Sequence, residues 1–321
     1  MLSTTLTRDW GLRVPIIGAP MSPMAGGRLA GALSNAGALG MIGVSSAQPV
    51  EQLEHDVEEF RQLAGERPFG IGLVTWALEA RPELLETALR ARPFAIALSF
   101  GDPTPFVPRI RDTGARAVVQ VQDRRGALVA EAAGVELVVA QGTEAGGHTG
   151  AVGTLPLLQI VLESVRVPVV AAGGIASGRG LAAVLAAGAQ GAWIGTPFLV
   201  SEEARNTAAA RRRVVEVSES DTVHTRVFDV VQGIPWPHEF PGRALANAFT
   251  RRWHGQEAEL SRDAEARRAF QQAKQAEDYS TTVLYAGQTV GLLERVEPAA
   301  VIVERMAEEA EARLRAATPS S

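Results

Sequence analysis

The chain reads as an α/β protein built on a TIM (β/α)8 barrel, and three features of the sequence predict that class. Eight short apolar runs alternate with stretches of helical spacing. The runs are continuously apolar, as parallel strands buried on both faces must be. Glycines stand where the helical stretches have to stop. Eight βα units close such a barrel in about 250 residues, so a chain of 321 leaves room for an additional lobe.

The predicted strands cover residues 15–19, 38–44, 69–74, 94–99, 116–121, 135–140, 167–172 and 191–195. Helical spacing occupies 27–35, 50–64, 82–91 and 180–187, with Gly37, Gly114, Gly134 and Gly188 as stop signals. Past residue 200 the texture changes to charge, proline and short mixed segments. The expected division is therefore a barrel over 1–200, a mainly helical substrate or lid lobe over 201–282, and C-terminal helices over 283–321 packing back on the barrel. Residues 299–317 read as a charged amphipathic helix, followed by a Pro319-Ser320-Ser321 end expected to fray. The lobe is expected to cover the barrel mouth, where barrel enzymes keep their active sites.

Composition narrows the chemistry. Hydrophobic residues at 46% and charged residues at 21% supply a large core. A net charge of −5 gives no footprint for nucleic acid or an anionic membrane, which favours small-molecule partners. The absence of cysteine removes thiolate nucleophiles, iron–sulfur clusters and zinc–thiolate sites, so redox chemistry needs a borrowed cofactor. No histidine spacing resembles a metal triad. Lys274 is the single lysine, which leaves the barrel without a lysine to meet a cofactor. The N-terminal stretch has no apolar core behind a basic start, and cytoplasmic placement is expected.

The candidate residues cluster at predicted strand ends. The sixth strand opens into Gln141-Gly-Thr-Glu-Ala-Gly146-Gly147-His148, a glycine-rich loop carrying an imidazole that changes charge near pH ~6.5. That is the position for a catalytic base, with Glu144 its nearest acidic residue in sequence. The seventh and eighth turns carry Gly173-Gly174 and Trp193-Ile-Gly195-Thr196, where bare backbone N–H groups suit a phosphate. Ala19-Pro20-Met21 makes an apolar corner after the first strand. Gln120, Gln122 and Gln141 offer both donors and acceptors to a heterocycle's edge. His55 belongs to a charged helix face, and His224, His238 and His254 fall in the lobe, with His238 placed to line the lid.

Five segments together resemble the nitronate monooxygenase family, also called 2-nitropropane dioxygenases, which are FMN-dependent TIM barrels. They are residues 15–21, 33–40, 140–148, 171–180 and 195–198, joined in the tail by Phe240-Pro-Gly-Arg243 and Leu284-Tyr285-Ala-Gly-Gln288. The resemblance implies FMN lying against Ala19, Pro20, Met21, Gly146 and Gly147, with Gln122 and Gln141 at its polar edges and Trp193 among its contacts. It implies a phosphate held by Gly173, Gly174, Gly195 and Thr196. His148 would be the base that removes a proton α to a nitro group, with Trp76, His238, Tyr285 and Gln288 as substrate contacts. Two departures stand out. An asparagine common in relatives near the third strand's end is replaced by Gly72-Leu-Val-Thr75-Trp76, and no lysine can approach the flavin. The implied activity is oxidation of alkyl nitronates, or nitroalkanes, with O2 to a carbonyl compound and nitrite. An NAD(P)H-dependent reductase of quinones or enoyl thioesters, and a flavin-binding barrel without turnover, are the alternatives.

Overall fold

The computed structural model describes residues 2–317, so the end expected to fray lies outside them. Along the chain come β1 (Ile16–Gly18), β2 (Gly40–Val44), β3 (Phe69–Val74), β4 (Ala95–Ser99), β5 (Arg116–Val121) and β6 (Leu137–Gln141). Next is β7 (Gly147–His148), then β8 (Val169–Ala172), β9 (Ala192–Ile194), β10 (Thr222–Thr225) and β11 (Gly242–Leu245). All of these but β7, β10 and β11 form one parallel sheet in the order β1-β9-β8-β6-β5-β4-β3-β2. Its two ends meet. Leu39 bridges Ile17 and accepts from the Gly18 N–H at 2.9 Å, which closes the sheet into the expected barrel.

Side chains of successive strand residues go to two different cores. Ile96 and Leu98 of β4 join the layer between sheet and helices, whereas Ala95 and Ala97 join the interior with Met41, Val139, Val170 and Trp193. This alternation explains why each run is apolar throughout. The end of the barrel at which the strands begin is plugged. Trp10 meets Phe94 edge to face at 5.5 Å, and the Arg116 guanidinium lies 4.1 Å from the Phe94 ring centre. Chemistry is left to the opposite rim, where the βα loops emerge.

The segment after residue 200 is helical in the main, through Ala208–Glu216, Val227–Gln232, Ala248–Trp253 and Ala264–Gln275. It also contributes a sheet that periodicity did not reveal. β10, β11 and β7 pair antiparallel in that order, with Gly242 opposite His148 and Arg243 opposite Gly147. Strands of two to four residues are too short to show a repeat. The helix Ala299–Ala317 returns to the barrel, burying Ile302, Val303 and Met306, and Glu309 accepts from the Gly178 N–H at 3.0 Å. Among the described residues no helix is long and apolar enough to cross a membrane.

Gly40 shows how tightly helix Gly27–Asn35 presses on the sheet, because a Cβ there would stand 1.9 Å from the Ala30 carbonyl oxygen. Gly40→Ala is expected to destabilise the protein by about 1–3 kcal/mol through overpacking. Urea unfolding measures this, and an unchanged midpoint would show that the helix withdraws freely.

Candidate active site at the barrel mouth

Strand β6 ends in Gln141, a residue 6% exposed, whose amide organises the loop that follows. Gln120 and Gln122 both donate to its Oε1, at 3.1 and 2.9 Å, and its Nε2 donates to the His148 carbonyl at 3.1 Å. Gly147, at φ +77, turns the chain in a way that suits glycine. Gly146 lies so close to the 286–287 backbone that a Cβ would meet the Gly287 nitrogen at 2.6 Å. His148 is thus set by a hydrogen bond from the Gln141 amide and by strand pairing with the lobe.

The imidazole is 8% exposed, and its Nε2 lies 2.9 Å from Oδ1 of Asp229, which is 2% exposed. Tyr285 donates its hydroxyl to the same oxygen at 3.4 Å. Burial, followed by the Asp229 charge, pushes the Tyr285 phenol well above its ordinary value, so it is a neutral donor. Trp236 stacks on the imidazole with ring centres 3.5 Å apart and planes 11° from parallel. Phe100 presents an edge to both His148 and Trp236, and Trp76 and Phe240 complete an aromatic box.

Several expected residues converge here and others do not. A Cβ on Gly195 would stand 3.3 Å from the Ala19 Cβ and 3.1 Å from the Met21 sulfur, so the turns after β1 and β9 meet. Gly173 and Gly174 take φ of +96 and +68 after β8, and Thr196 accepts from the Gly287 N–H at 3.0 Å. Trp193, however, is 4% exposed within the barrel interior rather than on the rim. His238 is exposed and paired with Arg226, so the Pro235-to-His238 loop reaches the imidazole through Trp236 instead. Trp76 touches Trp236, not His148, in the aromatic contacts, while its indole Nε1 is buried without a partner. Gln288 is exposed and donates its backbone N–H to Glu144 at 3.0 Å. Glu144 itself turns away, its carboxylate accepting from the Thr154 N–H and hydroxyl, each at 2.9 Å, at the start of helix Thr154–Ser164. The carboxylate beside His148 is Asp229, which sequence reasoning missed. The available signal was one acid inside Val227-Phe-Asp-Val-Val231, an otherwise apolar helical run.

The residues fit a flavin. Positive-φ glycines after β8 and a glycine after β9 leave two turns of the rim bare of side chains. The Thr75 hydroxyl and the Trp76 indole N–H, both buried and unpartnered, stand with the three glutamines as polar groups suited to a heterocycle. Among the described residues no cluster of acids and histidines could hold a metal ion.

A family model described as nitronate monooxygenase matches residues 3–87 and 80–309. The nitronate monooxygenase npaC of Metarhizium robertsii is 32% identical over 94% of this chain and 92% of its own. A 5-hydroxy-7a-methyl-1-oxo-octahydroindene-4-carboxyl-CoA dehydrogenase of Rhodococcus jostii is 31% identical over 77% of this chain and 68% of its own. Among solved structures, FabK of Thermotoga maritima superposes with a TM-score of 0.85 at 29% identity, covering 98% of both chains. A nitroalkane oxidase of Streptomyces ansochromogenes gives 0.84 at 30% identity over 98% of this chain and 99% of that one.

His224 offers a test of the lobe's seat on the loop. It shares its Nε2 between the Thr149 hydroxyl and the Pro241 carbonyl, each at 2.9 Å. Burial, then the charge of Arg243, lowers its pKa below the ordinary 6.5. Above about pH 6.5 it is neutral in folded and unfolded chains alike and costs nothing. As the pH falls below that, the unfolded chain takes up the proton first and stability drops, until the folded group protonates too. His224→Gln should flatten this acid limb in a plot of Tm against pH. Superimposable limbs would place the proton uptake on another group.

Proposed function

The chain belongs to the nitronate monooxygenase family and is a flavin-dependent oxidoreductase, and from that premise we propose that it uses FMN and O2 to oxidise alkyl nitronates to a carbonyl compound and nitrite. The observation that carries this reading is the buried imidazole at the mouth, held on one nitrogen and walled by aromatic rings. When bound, FMN would take electrons from the substrate and pass them to O2. Gly173, Gly174, Gly195 and Thr196 would hold its phosphate, while Ala19, Pro20, Met21, Gly146 and Gly147 would lie along its ring and Gln122 and Gln141 would meet its polar edge. His148 would take the α-proton of a neutral nitroalkane and orient a nitronate that arrives already deprotonated. Trp76, Phe100, Trp236 and Phe240 exclude water and present apolar surface to the alkyl group. In this reading the barrel over 1–200 would bind the cofactor, 201–282 would add Trp236 and Phe240 to the walls begun by Trp76 and Phe100, and 283–321 would pack back on the barrel.

A second reading, reduction of enoyl thioesters by NAD(P)H, is favoured by the likeness to FabK and to the carboxyl-CoA dehydrogenase. Anaerobic titration separates the two. Nitronates should bleach the bound flavin, and bleaching by NADH or NADPH alone would favour the reductase.

Two outcomes are expected beyond that titration. Cofactor released from the purified protein should have the mass of FMN, because the glycine-rich turns after β8 and β9 suit a single phosphate, and recovery of FAD would overturn the assignment. His148→Asn should lose about 10²- to 10⁴-fold in turnover of neutral nitroalkanes, the usual worth of a general base, and far less with preformed nitronates. Equal losses on both forms would make His148 a binding residue.

A further inference from the structure

We propose that Asp229, steadied by Tyr285, is a positioning residue that keeps a proton on Nε2 of His148, so that Nδ1 is the atom that accepts the substrate proton. The inference deepens the nitronate reading and rests on it for the identity of that proton. It begins from a carboxylate in an unfavourable place. Asp229 is 2% exposed, and no hydrogen-bond donor meets its Oδ2. A buried carboxylate with one bare oxygen weakens a fold, so stability does not account for its presence here.

The geometry supplies that role. An ionised carboxylate can only accept, and Oδ1 at 2.9 Å from Nε2 therefore selects the tautomer in which Nε2 carries the hydrogen. Tyr285 cannot take that hydrogen, because burial keeps its phenol protonated, and its hydroxyl donates to the same Oδ1 at 3.4 Å. Gly242 holds this corner tight, since a Cβ there would stand 2.8 Å from the Tyr285 ring and 3.5 Å from Nε2. Trp236 covers one face of the imidazole. With Nε2 engaged and that face stacked, Nδ1 is the ring nitrogen left to meet a substrate. Proton transfer then forms an Nδ1–H bond, breaks the substrate's α-C–H bond and leaves the electron pair on the nitronate. The Asp229 carboxylate, 2.9 Å from Nε2, then faces the imidazolium that forms.

The tautomer can be read directly. In holoenzyme labelled with 15N-histidine, at pH 8, the His148 resonances should show Nε2 protonated and Nδ1 unprotonated. Asp229→Asn should bring in the opposite tautomer, because an amide can donate to a bare Nε2, and should cut nitroalkane turnover about 10²- to 10⁴-fold while preformed nitronate turnover changes less than about tenfold. Tyr285→Phe keeps the shape of the site and should retain the wild-type tautomer with a few-fold loss on nitroalkane only, which serves if Asp229→Asn does not fold. A wild-type resonance with Nδ1 protonated, or an unchanged tautomer in Asp229→Asn, would overturn the positioning role. The expected tautomers in a protein that turns over neither nitroalkane nor nitronate would uphold the role of Asp229 and sink the nitronate reading instead.

Discussion

The site depends on one short strand pairing, Gly147–His148 of β7 against Gly242-Arg243 of β11. It joins a loop of the barrel to a strand of the lobe almost a hundred positions later, and so sets His148 against the lobe. On one side of the pairing, Gln141 holds the His148 carbonyl. On the other, β11 carries Tyr285 through its bridge to Ala244, and the loop leading into β11 brings Trp236 over the imidazole and Phe240 against Phe100. Arg243 secures the joint by donating from Nε to the Thr143 carbonyl at 2.7 Å, a charge-assisted bond of the kind worth about 1.5–3 kcal/mol. Burial lowers the Arg243 pKa, and the charge of Glu144 opposes that shift.

Division of labour follows from this joint. The barrel presents the turns after β1, β6, β8 and β9 on a common rim, and its backbone is rigid because both cores are close-packed. The lobe supplies a carboxylate from helix Val227–Gln232 and an indole from residue 236, the segment that follows it supplies a phenol from residue 285, and the barrel adds the edge of Phe100. FabK and a nitroalkane oxidase superpose on the chain almost equally well, so fold likeness alone does not choose between them.

Much of this was legible in order of sequence. The parallel barrel followed from continuous apolar runs, and the observed strands differ from the expected ones by one or two residues at their ends, as β9 does in covering Ala192–Ile194. Glycine-rich turns after the seventh and eighth barrel strands announced themselves, because a backbone that takes positive φ, as at Gly173 and Gly174, or leaves little room for a Cβ, as at Gly195, leaves a mark in residue type. The lobe's sheet left no such mark. Neither did the partner of His148: Glu144 is nearer in sequence and chemically equivalent, yet it caps Thr154, and His238 is the lobe histidine with the suggestive neighbours, yet it faces Arg226.

By itself, then, the sequence determined the barrel, the rim on which chemistry sits, and the imidazole that ends the sixth unit. These are written in local periodicity and in residues whose backbone demands are their own. Tertiary structure alone decided that Asp229 rather than Glu144 touches His148, that Trp236 rather than His238 covers it, and that Trp193 lies inside the barrel. The physical reason is that a hydrogen bond across 81 positions, or a ring stack across 88, depends on how two packed bodies meet, and no local pattern of residues carries that information.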